Sequence, residues 1–183
     1  MCGIVGIVNF KKDIKEQDRI ISEMINTLDK RGPDEDGIYL SNHINLGHRR
    51  LSIIDIENGK QPMKYKSDGN TYVIVYNGQI YNCDEIRNNL KEKGFEFNGY
   101  SDTEVLLKAY LYYGENVLKM INGIFAFAIW DEMKKQIFIA RDHFGIKPLY
   151  YTMKNGNLIF ASEIKSLMKH PEVNLEIDSN RNK

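Results

Sequence analysis

The chain opens Met1-Cys2-Gly3-Ile4-Val5-Gly6-Ile7-Val8, an apolar, β-branched run that begins at the second residue and is broken only by glycines. Such a run reads as a buried strand whose glycines let other groups approach the backbone closely. A strand that starts here holds the N-terminus in a sheet instead of letting it fray. It also fixes a thiol. Initiator methionine is usually removed ahead of a small residue, so the expected mature chain begins with Cys2, carrying a thiol and a free α-amine on one residue. A thiol of pKa about 8.5 is largely protonated at neutral pH, while an α-amine titrating near about 7.7–8.0 can accept its proton. The pair is a nucleophile with its own base, suited to acyl transfer. The same stretch also fits a blander reading, in which Cys2 is a small apolar residue opening a core strand.

Downstream, residues 16–30 place Ile20, Ile21, Met24, Ile25 and Leu28 on one helical face and end at the helix-stopping Lys30-Arg31-Gly32-Pro33. Short apolar stretches at 38–40, 44–47 and 51–54 read as strands, and Tyr72 to Tyr76 as another that stops at the turn-favouring pair Asn77-Gly78. Helices are expected over 84–93, stopped by Gly94, and over 102–113, opened by a capping box of Ser101 and Glu104. The segments 124–130, 136–140, 149–151 and 158–160 read as consecutive strands joined by tight turns, hence antiparallel. Many short strands with two or three amphipathic helices specify a layered α+β domain, two sheets face to face with helices outside. A chain of 183 residues builds such a core without metal or disulfide staples. The polar end, 176–183, reads as a loose tail or severed linker.

Charge narrows the function classes. The 25 basic and 25 acidic residues cancel, which argues against a nucleic-acid-binding stripe or a polybasic membrane surface. No apolar run approaches the roughly 18 residues of a membrane span and no secretory leader opens the chain, so a cytoplasmic location is expected. Two cysteines make no disulfide framework, and Cys83 reads as an inert bystander. His43, His48, His143 and His170 lack ligand-like spacing, so no metal site is expected.

A Cys2 nucleophile needs an oxyanion hole and a pocket. Asn77-Gly78 offers a side-chain amide beside an unshielded N–H, although alone it reads as a plain turn. Arg49 and Arg50 flank an apolar stretch where one guanidinium can grip a carboxylate; a solvated charge is the expectation for Arg49. Asp102 can pair with an ammonium, and a helix-start role explains it nearly as well.

Six segments in order then carry a resemblance over nearly the whole chain: Met1 to Gly6, Arg31-Gly32-Pro33-Asp34, Arg50-Leu51-Ser52-Ile53, Tyr76 to Asn82, Ser101 to Glu104, and Arg141 to Tyr150. The chain resembles the glutaminase domain of glutamine-dependent asparagine synthetases, within the wider class of N-terminal-nucleophile amidotransferases. The resemblance implies a four-layer αββα sandwich over residues 2–175. It implies that Cys2 attacks the side-chain amide of glutamine, releasing ammonia and leaving a thioester for water. It further implies Asn77 and Gly78 as oxyanion hole, Arg50 on the substrate carboxylate, Asp102 on its ammonium, and backbone around Ile53 and Ile54 completing the pocket. Arg31 to Asp34 and Arg141 to Tyr150 are expected to be supporting turns.

Two departures stand out. Gln79 replaces the glutamate the family usually carries after Asn-Gly, removing a charge expected near the substrate ammonium. The ATP-using synthetase domain does not follow, so no cofactor is expected in this domain; ATP and Mg2+ are implied only for that missing half. The implied partners are glutamine and a synthetase domain that accepts ammonia, and the resemblance is compatible with a homodimer. Two other functions stay open on sequence: a glutamine-sensing or interaction module without turnover, and the amidotransferase half of a sugar-phosphate or purine-precursor pathway.

Overall fold

Alternation along the strands builds three apolar clusters, and three clusters separate four layers. In β1 (Gly3–Asn9), Ile4 and Val8 face one way and Val5 and Ile7 the other, and all four are fully buried. In β5 (Asn70–Ile80), Val73 and Val75 face opposite to Ile74 and Tyr76, again with both faces covered. A strand apolar on both faces must lie in an inner layer. A computed structural model, which describes residues 1–174, shows both strands there. The expected tail at 176–183 lies outside the described residues.

The first sheet has the order β2-β3-β1-β9-β8, with β2 at Glu35–Leu40, β3 at Ile44–Arg50, β8 at Tyr150–Lys154 and β9 at Asn157–Ala161. The second has the order β4-β5-β6-β7, with β4 at Met63–Ser67, β6 at Gly123–Asp131 and β7 at Gln136–Arg141. Every pairing is antiparallel. Ile4, Leu46, Val75, Trp130 and Phe160 pack between the sheets. Helices α1 (Asp18–Asn26) and α5 (Ile164–Leu167) cover the first sheet. Helices α2 (Cys83–Glu92) and α3 (Asp102–Tyr113), with the short α4 (Val117–Met120), cover the second. The result is the αββα sandwich that the resemblance implied.

Two hairpins close on residues suited to left-handed backbone, Asp68-Gly69 (φ 50° and 77°) and Asn155-Gly156 (φ 51° and 83°). The first sheet is one strand wider than the second, and β8 overhangs. Its Tyr151 and Met153 pair with Phe160 and Leu158 and so point to the inter-sheet side, yet they are 71% and 76% exposed.

Four local expectations are corrected. Residues 51–54 form a loop, over which the Arg50 side chain folds back to bind the carbonyls of Ile54, Asp55 and Ile56. Asn77-Gly78 does not end its strand: β5 continues to Ile80, with Asn77 opposite Ala126 and Gly78 opposite Phe125. Ser101 caps α3 by accepting from Thr103 N at 3.1 Å, but Glu104 does not return the bond. Its carboxylate instead takes the N–H groups of Asn98 and Gly99 and pairs with buried Lys108. Finally, β7 and β8 are not joined by a tight turn within one sheet; residues 142–149 carry the chain from the second sheet to the first.

His48 shows what the inter-sheet layer demands of a polar residue. It follows Ile44 and Leu46 on the inner face of β3 and is fully buried. Its Nε2 lies 3.1 Å from the Tyr76 carbonyl of the opposing sheet, and burial pushes its pKa down to about 3. The folded state therefore keeps His48 neutral while the unfolded chain protonates it near its ordinary pKa. Unfolding takes up a proton between those two values, so stability falls as pH drops below about 6.5, by about 1.4 kcal/mol per pH unit for one proton. Denaturant unfolding at pH 6.5 and 5 is expected to show this slope, and His48→Gln to remove one proton's share of it.

Candidate active site

The inner faces of β1, β3 and β5 turn polar at one end of the sandwich, and that switch makes the site. One step beyond Ile4 on its face comes Cys2; beyond Leu46 and His48 comes Arg50; beyond Val73 and Val75 comes Asn77. Period-two alternation brings these three side chains to one opening. They line a single cavity of about 210 Å3, together with Gly78, Gln79 and Asp102. A pocket of this size suits one small ligand held by a few converging polar groups.

Cys2 is held by its surroundings. Its Sγ accepts from Leu51 N at 3.4 Å, and its carbonyl accepts from Arg31 Nε at 3.0 Å. Arg31 is itself anchored on Glu163 at 3.2 Å. Asp34 receives Ser52 N at 2.7 Å, and a Cβ on Gly32 would sit 2.4 Å from the Arg50 nitrogen. The Arg31 to Asp34 turn thus clamps Cys2 on one side and residues 50–52 on the other, the supporting role expected of it.

Asn77 is buried, and its Nδ2 finds no acceptor among the described residues. An orphaned buried donor costs about 1–3 kcal/mol, which a ligand oxygen would recover. A side chain at Gly78 would come within 2.5 Å of the Ile124 carbonyl and 2.9 Å of the Phe125 backbone, so only glycine fits there. Asp102 sits at the first position of α3 with Tyr76 Oη at 2.7 Å and Ile80 N at 3.3 Å, both donating to Oδ2. Burial raises its carboxyl above the ordinary range against those bonds.

Arg50 is more committed than the sequence implied. Its terminal nitrogens donate to Glu35 at 2.7 Å and to the carbonyls of Ile54, Asp55 and Ile56 at 3.1, 2.6 and 3.0 Å, while Nε makes no hydrogen bond among the described residues. The Ile54 carbonyl is therefore occupied, and the Ile53 and Ile54 side chains stand exposed at the cavity mouth. Gln79 lies exposed at the rim. Arg49 points to the opposite face, where it binds Asn26 at 2.9 Å and Asp36 at 3.6 Å; it is not the solvated charge expected.

Two residues that line the cavity, Gln61 and Lys147, and one just outside it, Asp55, escaped the sequence reading as site residues. Gln61 accepts from Tyr76 N at 2.6 Å and donates to Thr103 Oγ1 at 3.2 Å. Lys147 is delivered by the 142–149 crossover, which folds around Asp142 as that carboxylate accepts from Ile146 N and Lys147 N, both at 2.9 Å. Its Nζ lies 3.6 Å from Met1 Sδ, and Met1 lines the same cavity. Asp55 lies just outside and ties the loop together. Lys147 sits in the Arg141 to Tyr150 segment expected to be only a supporting turn, whereas nothing in the sequence context of Gln61 and Asp55 distinguishes them from ordinary loop polar groups.

Comparison with known proteins bears on the chain as a whole. The sequence profile described as the glutamine amidotransferase domain matches residues 1–182. This chain belongs to that family. It is 44% identical over 178 residues to the glutamine-hydrolysing asparagine synthetase 3 of Bacillus subtilis, covering 97% of this chain and 29% of that protein. It is 47% identical over 180 residues to asparagine synthetase 1 of the same organism, covering 97% and 28%. Against asparagine synthetase B of Escherichia coli the identity is 39% over 169 residues, covering 92% and 30%. The chain thus spans under a third of the length of these relatives. Among solved structures, glutamine phosphoribosylpyrophosphate amidotransferase from B. subtilis superposes with a TM-score of 0.77 at 22% identity, covering 91% of this chain and 43% of that one. At that identity the likeness is one of fold.

The amidotransferase domain has two thiols in contrasting settings. Cys83 is half-buried, and burial pushes it up to about 11. Iodoacetamide at neutral pH is therefore expected to label Cys2 more than about tenfold faster than Cys83, read by mass spectrometry of the peptides. Equal rates, or faster labelling of Cys83, would contradict the assignment of the reactive thiol.

Proposed function

We propose that residues 2–175 form a glutaminase domain that splits the side-chain amide of glutamine and passes the ammonia to a synthetase domain making asparagine from aspartate. The observation that carries this reading is the unpartnered Asn77 Nδ2, buried in the cavity that Cys2 opens into. Cys2 Sγ attacks the amide carbon as its proton passes to the Cys2 α-amine. Asn77 Nδ2 and the Gly78 N–H receive the oxyanion, the amine returns the proton to the leaving nitrogen, and ammonia departs. Water then hydrolyses the thioester to glutamate by the same proton route. The substrate carboxylate lies toward Arg50 and its ammonium toward Asp102, with Gln79 at the rim.

With Met1 in place the nitrogen of Cys2 is an amide and cannot act as base, and Met1 lines the cavity. The active species therefore begins at Cys2. The asparagine pathway is favoured over purine or sugar-phosphate precursors by identities of 39–47% to asparagine synthetases, against 22% to the purine enzyme. Against a sensing module without turnover stand the thiol and the donor meeting in one pocket. A cytoplasmic location fits two free cysteines and the absence, among the described residues, of a helix long and apolar enough to cross a membrane.

The deciding experiment is steady-state ammonia release from glutamine. Cys2→Ala is expected to abolish it with the fold intact, and Asn77→Ala to lower kcat by about a hundredfold or more with a smaller change in KM. Release at the wild-type rate by Cys2→Ala would overturn the mechanism. A second expectation comes from Asp102, whose raised pKa means that it neutralises at a higher pH than an ordinary aspartate. The neutral acid no longer pairs with an ammonium, so KM is expected to rise as pH falls through this range, and Asp102→Asn to give a high KM that no longer depends on pH there.

A further inference from the structure

The loop from Leu51 to Lys60 forms one wall of the cavity, and the start of α3 forms the facing wall. Little apolar burial holds the loop, since Ile53, Ile54 and Ile56 are all exposed. Its position rests on polar bonds, and most of them meet at Asp55. This residue adopts left-handed backbone at φ 48°. Its Oδ1 accepts from Asn58 N at 3.0 Å and Asn58 Nδ2 at 3.1 Å, which closes the turn within the loop. Its carbonyl accepts from Arg50 Nη2 at 2.6 Å and from Gly59 N at 2.8 Å. Its Oδ2 reaches across to the facing wall and accepts from Tyr100 N and, at 3.2 Å, from Ser101 N. Two glycines accommodate this crossing. A Cβ on Gly99 would stand 2.0 Å from Asp55 Oδ2 and 2.7 Å from the Asn58 Cβ, and one on Gly59 would stand 2.5 Å from Arg50 Nη2.

We propose that Asp55 is a positioning residue that sets the width of the substrate pocket by latching the Arg50 wall to the Asp102 wall. An amino acid bound as a zwitterion places its carboxylate on the first wall and its ammonium on the second, so the separation of the two walls decides whether both charges are met at once. Gln61 ties the base of the loop to Thr103, and Asp55 ties its tip to Ser101. Neither Asp55 nor Gly99 lines the cavity, so the chemistry at Cys2 and Asn77 does not depend on them directly. The ionised state of the carboxylate is reinforced by the backbone N–H groups it accepts, which hold its pKa below the ordinary value. This inference rests on the glutaminase reading for its kinetic consequence but not for the latch itself.

Two variants open the latch from opposite sides. Asp55→Asn retains tolerance for left-handed backbone and can still serve the turn, while withdrawing the charge and one acceptor. Gly99→Ala leaves Asp55 intact and drives its carboxylate off the facing wall. Hydrogen exchange of the Tyr100 and Ser101 amides reads the latch whether or not glutamine is hydrolysed. Both amides are expected to be protected in the wild type and to exchange about tenfold faster or more in each variant. Fast exchange in the wild type, or unchanged protection in both variants, would overturn the latch. Ammonia release then reads its consequence. Both variants are expected to raise the glutamine KM about tenfold with kcat within about twofold, and to leave the rate of Cys2 alkylation by iodoacetamide unchanged. An unaltered KM, or losses carried equally by kcat and by thiol reactivity, would overturn the positioning role. A wild type that releases no ammonia would count against the glutaminase reading, while hydrogen exchange still decides the latch.

Discussion

Two sheets pressed face to face need apolar residues along their whole shared interior, and here that supply stops before the interior does. Ile4, Leu46 and Val75 fill the middle of the sandwich; Cys2, Arg50 and Asn77 continue the same faces at one end. Polar side chains that cannot pack as a core leave a gap, and the gap is the cavity. The strands set the direction of these groups to within the alternation of a pleated backbone, so the site is as rigid as the sheets that end in it. His48 marks the changeover, a polar ring still inside the packed layer but already spending a hydrogen bond on the opposite sheet.

The layers were legible because alternation is a strong signal. Val5 and Ile7 against Ile4 and Val8 announce a strand buried on both faces, and the helices at 84–93 and 102–113 fall within a residue or so of α2 and α3. Local propensity failed where a partner overrode it. Asn77-Gly78 favours a turn in isolation, but β6 offers it nine residues of ladder with β5, and pairing wins. The apolar stretch at 51–54 looks like strand because periodicity cannot show a guanidinium one residue earlier folding back onto the carbonyls that follow. The motif residues Cys2, Asn77, Gly78 and Asp102 were legible as candidates by type. Gln61 and Asp55 were not, because a polar residue in a loop reads the same whether it faces solvent or braces a pocket, and Lys147 was read only as part of a supporting turn.

Polar bracing and apolar packing divide the molecule. The clusters beneath the helices and between the sheets hold the fold, whereas Arg50, Asp34, Asp55 and Gln61 hold the loop beside the thiol. A segment held mainly by hydrogen bonds belongs to the least stable part of a domain and opens first. That loop can therefore move while Asn77, inside β5, and Cys2, directly before β1, stay where they are. Asn77 Nδ2, buried without an acceptor among the described residues, belongs to that fixed part of the pocket.

The overhang of β8 bears on how the molecule behaves in bulk solution. Tyr151 and Met153 lie on the side of an edge strand that the second sheet would have covered had it been as wide as the first. Phe144 and Ile146 are exposed as well, on the crossover that leads into this strand. Free backbone groups along an edge and uncovered aromatic surface both favour sticking to like molecules. A formal net charge of zero supplies no long-range repulsion to oppose that at neutral pH. Any contact between molecules at this edge would rest on apolar surface more than on charge, so added salt, which screens charge, would leave that contact in place.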